Sequence, residues 1–305
     1  MNTRSRSELL TAEEQVTSIV KTLSDYTEMT KPRIVGLVGV ATMGGFYLGS
    51  AGGVDIPLLL HALVGTVLLG CGANSLNMYL ERHSDRLMKR TENRPLPSDR
   101  MQPIAAFRFG IVSWLGGFAY LALFTNWLTA FIGWSTVVLY LFAYTPLKKK
   151  SMLSTLVGAV PGALPPLIGW TAAGGALNVE ALSLFSILFF WQLPHFMAIA
   201  FMYREDYARA GMKNWAVADS DGRLCARQAV LHTLILIPVT LTPTLLGMAG
   251  NVYFASAVLL GFGFLGFCFW FLRNRTAWHA KQMFLYSVVY LPVLLLFLMI
   301  DSKGV

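Results

Sequence analysis

Nine apolar runs, each close to the length an α-helix needs to cross a bilayer, dictate what this chain can become. They lie near residues 34–51, 56–80, 104–124, 127–144, 153–173, 180–202, 229–249, 252–272 and 281–300, and a hydrocarbon core takes about 20 mostly apolar helical residues. The connections between them alternate in charge. Of the 24 Lys and Arg, all but Lys303 fall in the N-terminal arm or in and beside the connections at 81–103, 145–152, 203–228 and 273–281. Basic connections mark the cytoplasmic side, so the N-terminus is expected inside and the C-terminus outside. With 55% hydrophobic and 13% charged residues and a mean hydropathy of +0.56, too little polar surface is left for a soluble domain. The expected fold is all-α, a polytopic membrane protein of nine helices, with a single transmembrane domain over 30–305 after an arm at 1–29.

Composition also narrows function. The net charge of +8 sits beside membrane spans, where basic residues meet anionic lipid, so membrane lipid and not nucleic acid is the expected partner. Cys71, Cys225 and Cys268 are widely spaced and form no C-x-x-C, which points to neither a disulfide framework nor a zinc site. Residues 1–24 mix both charge signs without an apolar core. That pattern is neither a secretory signal nor a transit peptide, and a bacterial inner membrane is the expected location.

The chemistry concentrates where the second run ends. Read as a helix, Asn77, Glu81 and Asp85 recur every fourth residue, so an amide oxygen and two carboxylates share one stripe. Lys89 continues it, Arg90 and Arg94 follow, and Pro95 is expected to stop the helix. Oxygen ligands followed by cations suit Mg²⁺ shared between carboxylates and substrate phosphates. The same spacing also builds i,i+4 salt bridges on a solvated helix end; Asp85 is expected at such a wet end. A second acidic segment, Arg204-Glu205-Asp206, follows the sixth run on the same side, and two such clusters on one face could hold metal on both sides of a diphosphate.

Three further stretches stand out. In Tyr144-Thr145-Pro146-Leu147-Lys148-Lys149-Lys150, Lys148 is best placed to reach a phosphate, whereas Lys149 and Lys150 read equally as plain membrane anchors. Residues 158–170 set three prolines and three glycines in an apolar run, which predicts a kinked, closely packed helix. Trp191-Gln192-Leu193-Pro194-His195 puts polar groups inside a span, where they need partners; His195 is either bonded to a neighbouring helix or a ligand for haem iron.

Together these motifs resemble the UbiA-type intramembrane prenyltransferases. The run Asn77-x-x-x-Glu81-x-x-x-Asp85-x-x-Met88-Lys89-Arg90-Thr91-x-Asn93-Arg94-Pro95-Leu96 is similar to the first Asp-rich motif of that superfamily, and its second half to the protohaem IX farnesyltransferase (haem O synthase) branch. Thr30-Lys31-Pro32-Arg33, Tyr144 to Lys148, Pro161 to Pro166, Trp191 to Phe196 and Tyr203 to Tyr207 extend the likeness in order from about Thr30 to Pro292. Glu81 departs from the commoner Asp, and the second loop offers adjacent Glu205 and Asp206 where quinone-type relatives carry D-x-x-x-D.

The resemblance implies a nine-helix bundle whose loops 81–103 and 203–228 form the mouth of the site. It implies Mg²⁺-dependent transfer of farnesyl from farnesyl diphosphate to the 2-vinyl group of haem B, giving haem O for terminal oxidases; haem A synthase or a terminal oxidase assembly would be the associated partners. Asn77, Glu81, Asp85, Glu205 and Asp206 would be catalytic, with Asn77, Glu81, Asp85 and Asp206 on the metal. Lys89, Arg90, Arg94, Lys148 and Arg204 would hold diphosphate, and Trp191, Gln192 and His195 the haem. The competing readings are a prenyltransferase of the same fold with an aromatic quinone precursor as acceptor, and a transporter, since broken apolar helices also mark substrate pathways.

Overall fold

The computed structural model describes residues 19–50, 53–219 and 221–303. The first part of the expected arm, residues 1–18, lies outside them. Residues 19–30 are helical and are tied to the 81–103 connection by Arg100, which pairs with Asp25 and Glu28. Eleven α-helices follow among the described residues: α1 Pro32–Gly49, α2 Ile56–Asp85, α3 Pro103–Phe124, α4 Trp127–Val138, α5 Ser154–Ala163, α6 Pro165–Ala172, α7 Val179–Met202, α8 Arg204–Arg209, α9 Arg223–Leu245, α10 Asn251–Asn274 and α11 Ala277–Ile300. A π-helical turn, Leu139–Tyr144, and a last turn, Thr145–Leu147, extend α4.

Local chemistry explains where these helices begin. Proline occupies the first helical turn of α1, α2 and α3, where no backbone N–H is missed. Asp55, Asn126, Asn178 and Thr276 accept from backbone N–H groups at the starts of α2, α4, α7 and α11, which satisfies otherwise orphaned donors.

Among the described residues seven helices are long and apolar enough to cross a membrane: α2, α3, α4 with its extension, α7, α9, α10 and α11. The chain is therefore a multi-pass, all-helical membrane protein. The first expected span is the 18-residue α1, and the expected run at 153–173 is two short helices meeting at Leu164. Pro165 and Pro166 offer no N–H to the preceding turn, so the ladder breaks there.

The helices close on one another through small residues. A Cβ on Gly169 of α6 would lie 1.8 Å from the Thr42 carbonyl oxygen of α1, and one on Gly72 of α2 would lie 2.7 Å from the Trp114 nitrogen of α3. Only glycine permits these backbone approaches. α7 packs against α5, α9 and α11, and α11 touches α1. That seam between α7 and α11 carries part of the site.

The end of α2 differs from expectation. Pro95 does not stop it; the helix ends at Asp85, and residues 86–100 wind back in successive turns. Asp85 is the hub of that reversal. Its carbonyl accepts from Met88 N at 3.2 Å and from Thr91 Oγ1 at 2.8 Å, and its carboxylate from Arg94 at 2.9 Å.

Candidate functional site

The acidic stripe forms on α2 and is met by cations from two other segments. Asn77 Nδ2 donates to Glu81 Oε2 at 3.0 Å and to Thr145 Oγ1 at 3.2 Å. Lys148 Nζ donates to both Glu81 oxygens, at 2.9 and 3.0 Å. The π-turn makes that reach possible. Pro146 cannot donate to the carbonyl four residues back and its ring crowds it, so the ladder widens, a feature frequent at functional sites. It leaves Thr145 Oγ1 on the Tyr140 carbonyl and Lys148 Nζ 4.4 Å from the centre of the Tyr144 ring. Burial opposes the Lys148 charge, yet Tyr144, Glu81 and Tyr140 outweigh it and hold the ammonium above its usual range.

Asp85 is not at a wet helix end. It is 2% exposed, and the turns of 86–94 deliver Arg94 Nη1 to its Oδ2. Its Oδ1 has no hydrogen-bond partner among the described residues.

Lys31 completes this group, although the sequence pattern alone does not single it out as a ligand. It precedes α1 in a left-handed conformation, φ 53°, that costs a non-glycine residue energy and is kept mainly at functional sites. Asn74, one turn before Asn77 on α2, fixes it by donating to the Thr30 carbonyl at 2.9 Å. Its ammonium forms no ion pair among the described residues. Burial first, then the charges of Arg94 and Lys148, pull it down to about 7 against the opposing pull of Glu81 and Asp85. The Thr30-Lys31-Pro32-Arg33 motif is the available signal.

The second acidic segment reaches the first through the backbone. Asp206 accepts from Lys89 N at 3.3 Å and Arg90 N at 3.2 Å, and pairs with Arg209. It closes the two loops on each other, and both its oxygens are occupied in doing so. Among the described residues Lys89, Arg90, Arg204 and exposed Glu205 form no hydrogen bond or ion pair with Glu81 or Lys148. With Asp206, Phe201, Met202, Tyr203, Arg275, Thr276 and Ala277 they line a separate open cleft of about 560 Å³.

Trp191 and His195, expected to meet the acceptor, lie one turn apart on α7 and stack with ring centres 5.2 Å apart. Buried Ser287 of α11 serves both: its carbonyl accepts from Trp191 Nε1 at 2.8 Å, and its hydroxyl meets His195 Nδ1 at 2.8 Å. Ser287 is a lone serine in an apolar run and gives no sequence signal. His195 Nε2 has no hydrogen-bond partner among the described residues. Gln192 turns elsewhere. It is 5% exposed, donates to the Ala159 and Leu188 carbonyls, and packs against Gly162 of α5, so its amide is engaged in packing α7 on α5.

Among the described residues no three His, Cys, Asp or Glu side chains converge as a metal cage. What exists is a pair of hard oxygen donors on one helix, Glu81 and Asp85, with Asn77 beside them. That set suits an ion sharing its coordination with substrate phosphates and water.

Comparison with known proteins gives the family and the fold. Residues 38–289 match the UbiA prenyltransferase family. A protoheme IX farnesyltransferase of Solibacter usitatus is 44% identical over 291 residues, covering 92% of this chain and all of that protein; one of Myxococcus xanthus is 46% identical over 288 residues, covering 93% and 96%. Among solved structures, a digeranylgeranylglyceryl phosphate synthase superposes with a TM-score of 0.77 at 16% identity, covering 93% of this chain and 99% of that one. A UbiA homolog from Archaeoglobus fulgidus bound to DMAPP and Mg²⁺ gives 0.64 at 14% identity, covering 88% and 99%.

Proposed function

Since the chain belongs to the UbiA prenyltransferase family, we propose that it transfers the farnesyl group of farnesyl diphosphate to the 2-vinyl group of haem B, in a bacterial inner membrane with its basic connections and N-terminus on the cytoplasmic side. The observation that carries the reading is the pairing of Glu81 with Lys148 and of Asp85 with Arg94 at one helix end. Each carboxylate lies against a cation, so each proposed metal ligand has a positive group beside it, ready for phosphate oxygens.

Asn77, Glu81 and Asp85 would hold Mg²⁺, which supplies Lewis-acid neutralisation of the leaving diphosphate. The chain's own residues do the rest. Arg94, Lys148 and Lys31 stabilise charge on the departing oxygens. The allylic C1–O bond breaks with its electron pair leaving on diphosphate. The vinyl group of haem attacks the allylic cation, forming a C–C bond, and water captures the second cation with loss of a proton. His195, aligned by Ser287, presents Nε2 toward the haem iron, and the stacked Trp191 ring offers a flat apolar surface to the porphyrin. Asp206 acts one step back, as the clasp that holds the Lys89–Arg90 loop.

Purified protein given labelled farnesyl diphosphate with either haem B or 4-hydroxybenzoate tests the reading. Label should pass to haem, with Mg²⁺-dependent release of diphosphate; prenylation of the benzoate alone would favour a quinone-type acceptor, and absence of diphosphate release would favour a carrier.

Lys31 carries a second prediction. Its ammonium is depressed in the folded state, so below about pH 7 both folded and unfolded chains are protonated and the folded one bears the full penalty. The penalty fades as pH rises toward the ordinary lysine value, where the unfolded chain also loses its proton. Lys31→Met should therefore raise thermal stability at pH 6, by less at pH 9, while raising KM for farnesyl diphosphate. A variant less stable at pH 6 than wild type would refute this.

A further inference from the structure

The cleft beside the site holds more positive charge than the diphosphate reaction uses. Lys89, Arg90, Arg204 and Arg275 line it. Of its two carboxylates, Asp206 is spent on the Lys89 and Arg90 N–H groups and on Arg209, which leaves Glu205 against four cations, one of which, Arg275, also pairs with Asp221 at the surface. The guanidiniums are oriented in advance. Arg90 lies over the Tyr203 ring at 5.0 Å and Arg204 over Phe201 at 4.8 Å, contacts that fix a planar cation. Arg275 adopts φ 51° at the C-terminal cap of α10, a left-handed position where glycine is the usual residue. An arginine held there bears strain that a glycine would not, and such strain collects at binding sites.

The cleft lies at one end of the seam between α7 and α11. Phe201 and Met202 at the end of α7 and Thr276 and Ala277 at the start of α11 are part of its lining. His195 lies six residues back along α7, about 9 Å at the helical rise. Phe284, seven residues into α11 and about 10 Å from its start, packs on His195 with ring centres 4.9 Å apart. Both helices thus lead from the cations to the imidazole. A flat ligand lying along that seam, with its centre at His195, would place two anionic groups on its near edge in the cleft.

We propose that this cleft binds the two propionate carboxylates of the porphyrin acceptor, with Arg275 and Arg204 as their principal partners, and so separates acceptor recognition from the diphosphate site around Glu81 and Lys148. The assignment rests on the reading of haem B as acceptor. Carboxylates suit forked guanidiniums, which bind them through paired hydrogen bonds.

The test is steady-state kinetics on the full chain in detergent, using haem B and its dimethyl ester, in which both carboxylates are neutral. Arg275→Gly is the variant of choice because glycine relaxes the left-handed backbone, and the Arg275–Asp221 pair it removes is a surface contact with side chains 35% and 60% exposed. Loss of one charge-assisted contact should raise KM for haem B about tenfold, with KM for farnesyl diphosphate and kcat unchanged. The diester should bind wild type more weakly than haem B does, and Arg275→Gly should not weaken it further. Asp221→Asn breaks the same ion pair but keeps the cation, and should leave KM for haem B at the wild-type value or lower. A rise in KM for farnesyl diphosphate alone would make the cleft a diphosphate site and overturn the proposal, as would equal rises for haem and diester. Failure of wild type to farnesylate either porphyrin would instead overturn the acceptor reading beneath it.

Discussion

Asp85→Asn is expected to lower farnesyl transfer by about a hundredfold or more, the usual cost of removing one preorganised group that answers developing charge, while the protein remains folded. Asparagine keeps the shape of the side chain and an oxygen for Arg94, whose Nη1 now sits 2.9 Å from Asp85 Oδ2. What it loses is the negative charge and a second carboxylate oxygen, the one without a hydrogen-bond partner among the described residues. Asp85→Ala would be a poorer experiment. At 2% exposure the carboxylate is buried, and its removal leaves the Arg94 cation without a partner, so lost activity could not be told from lost structure. Turnover with labelled substrate and thermal unfolding in detergent should be measured together. A folded Asp85→Asn protein with near-normal turnover would remove Asp85 from the metal site.

The lengths of the apolar runs made the all-helical membrane architecture legible, because lipid forces helices on any chain of this kind that enters it. The break at Leu164 was legible too, since Pro165 and Pro166 act locally. The end of α2 was not. Asp85 stops that helix through Arg94, nine residues on, and the loop is clasped by Asp206 from 116 and 117 residues away; no local propensity encodes such contacts. Lys31 is hidden for the same reason, its position being set by Asn74, which bonds the Thr30 carbonyl from 44 residues away. The placement of Gln192 has a simpler cause. Trp191 and His195 are one turn apart and share a face, but residue 192 is rotated about 100° from Trp191 and faces α5 instead.

Lys148→Met should separate what the Glu81–Lys148 pair does for the fold from what it does for chemistry. Removing one member of a buried ion pair strands the other, at a cost of roughly 3–5 kcal/mol when burial is complete. With Glu81 and Lys148 side chains 11% and 16% exposed, the low end of that range is expected, as several degrees of lost thermal stability. The double variant Glu81→Gln with Lys148→Met strands nothing, and the introduced side-chain amide still offers Asn77 Nδ2 an oxygen in place of Glu81 Oε2, now 3.0 Å away. Most of the stability should return. Turnover should not, because the proposed metal ligand and the proposed phosphate-binding cation have both gone. Lys149→Ala, one residue along and exposed, should change neither property. If the double variant regained activity along with stability, the pair would be a structural clamp alone, and the diphosphate would have to be held elsewhere; if the single variant were inactive yet as stable as wild type, Glu81 would have another cation within reach, with Lys31 the nearest candidate by charge.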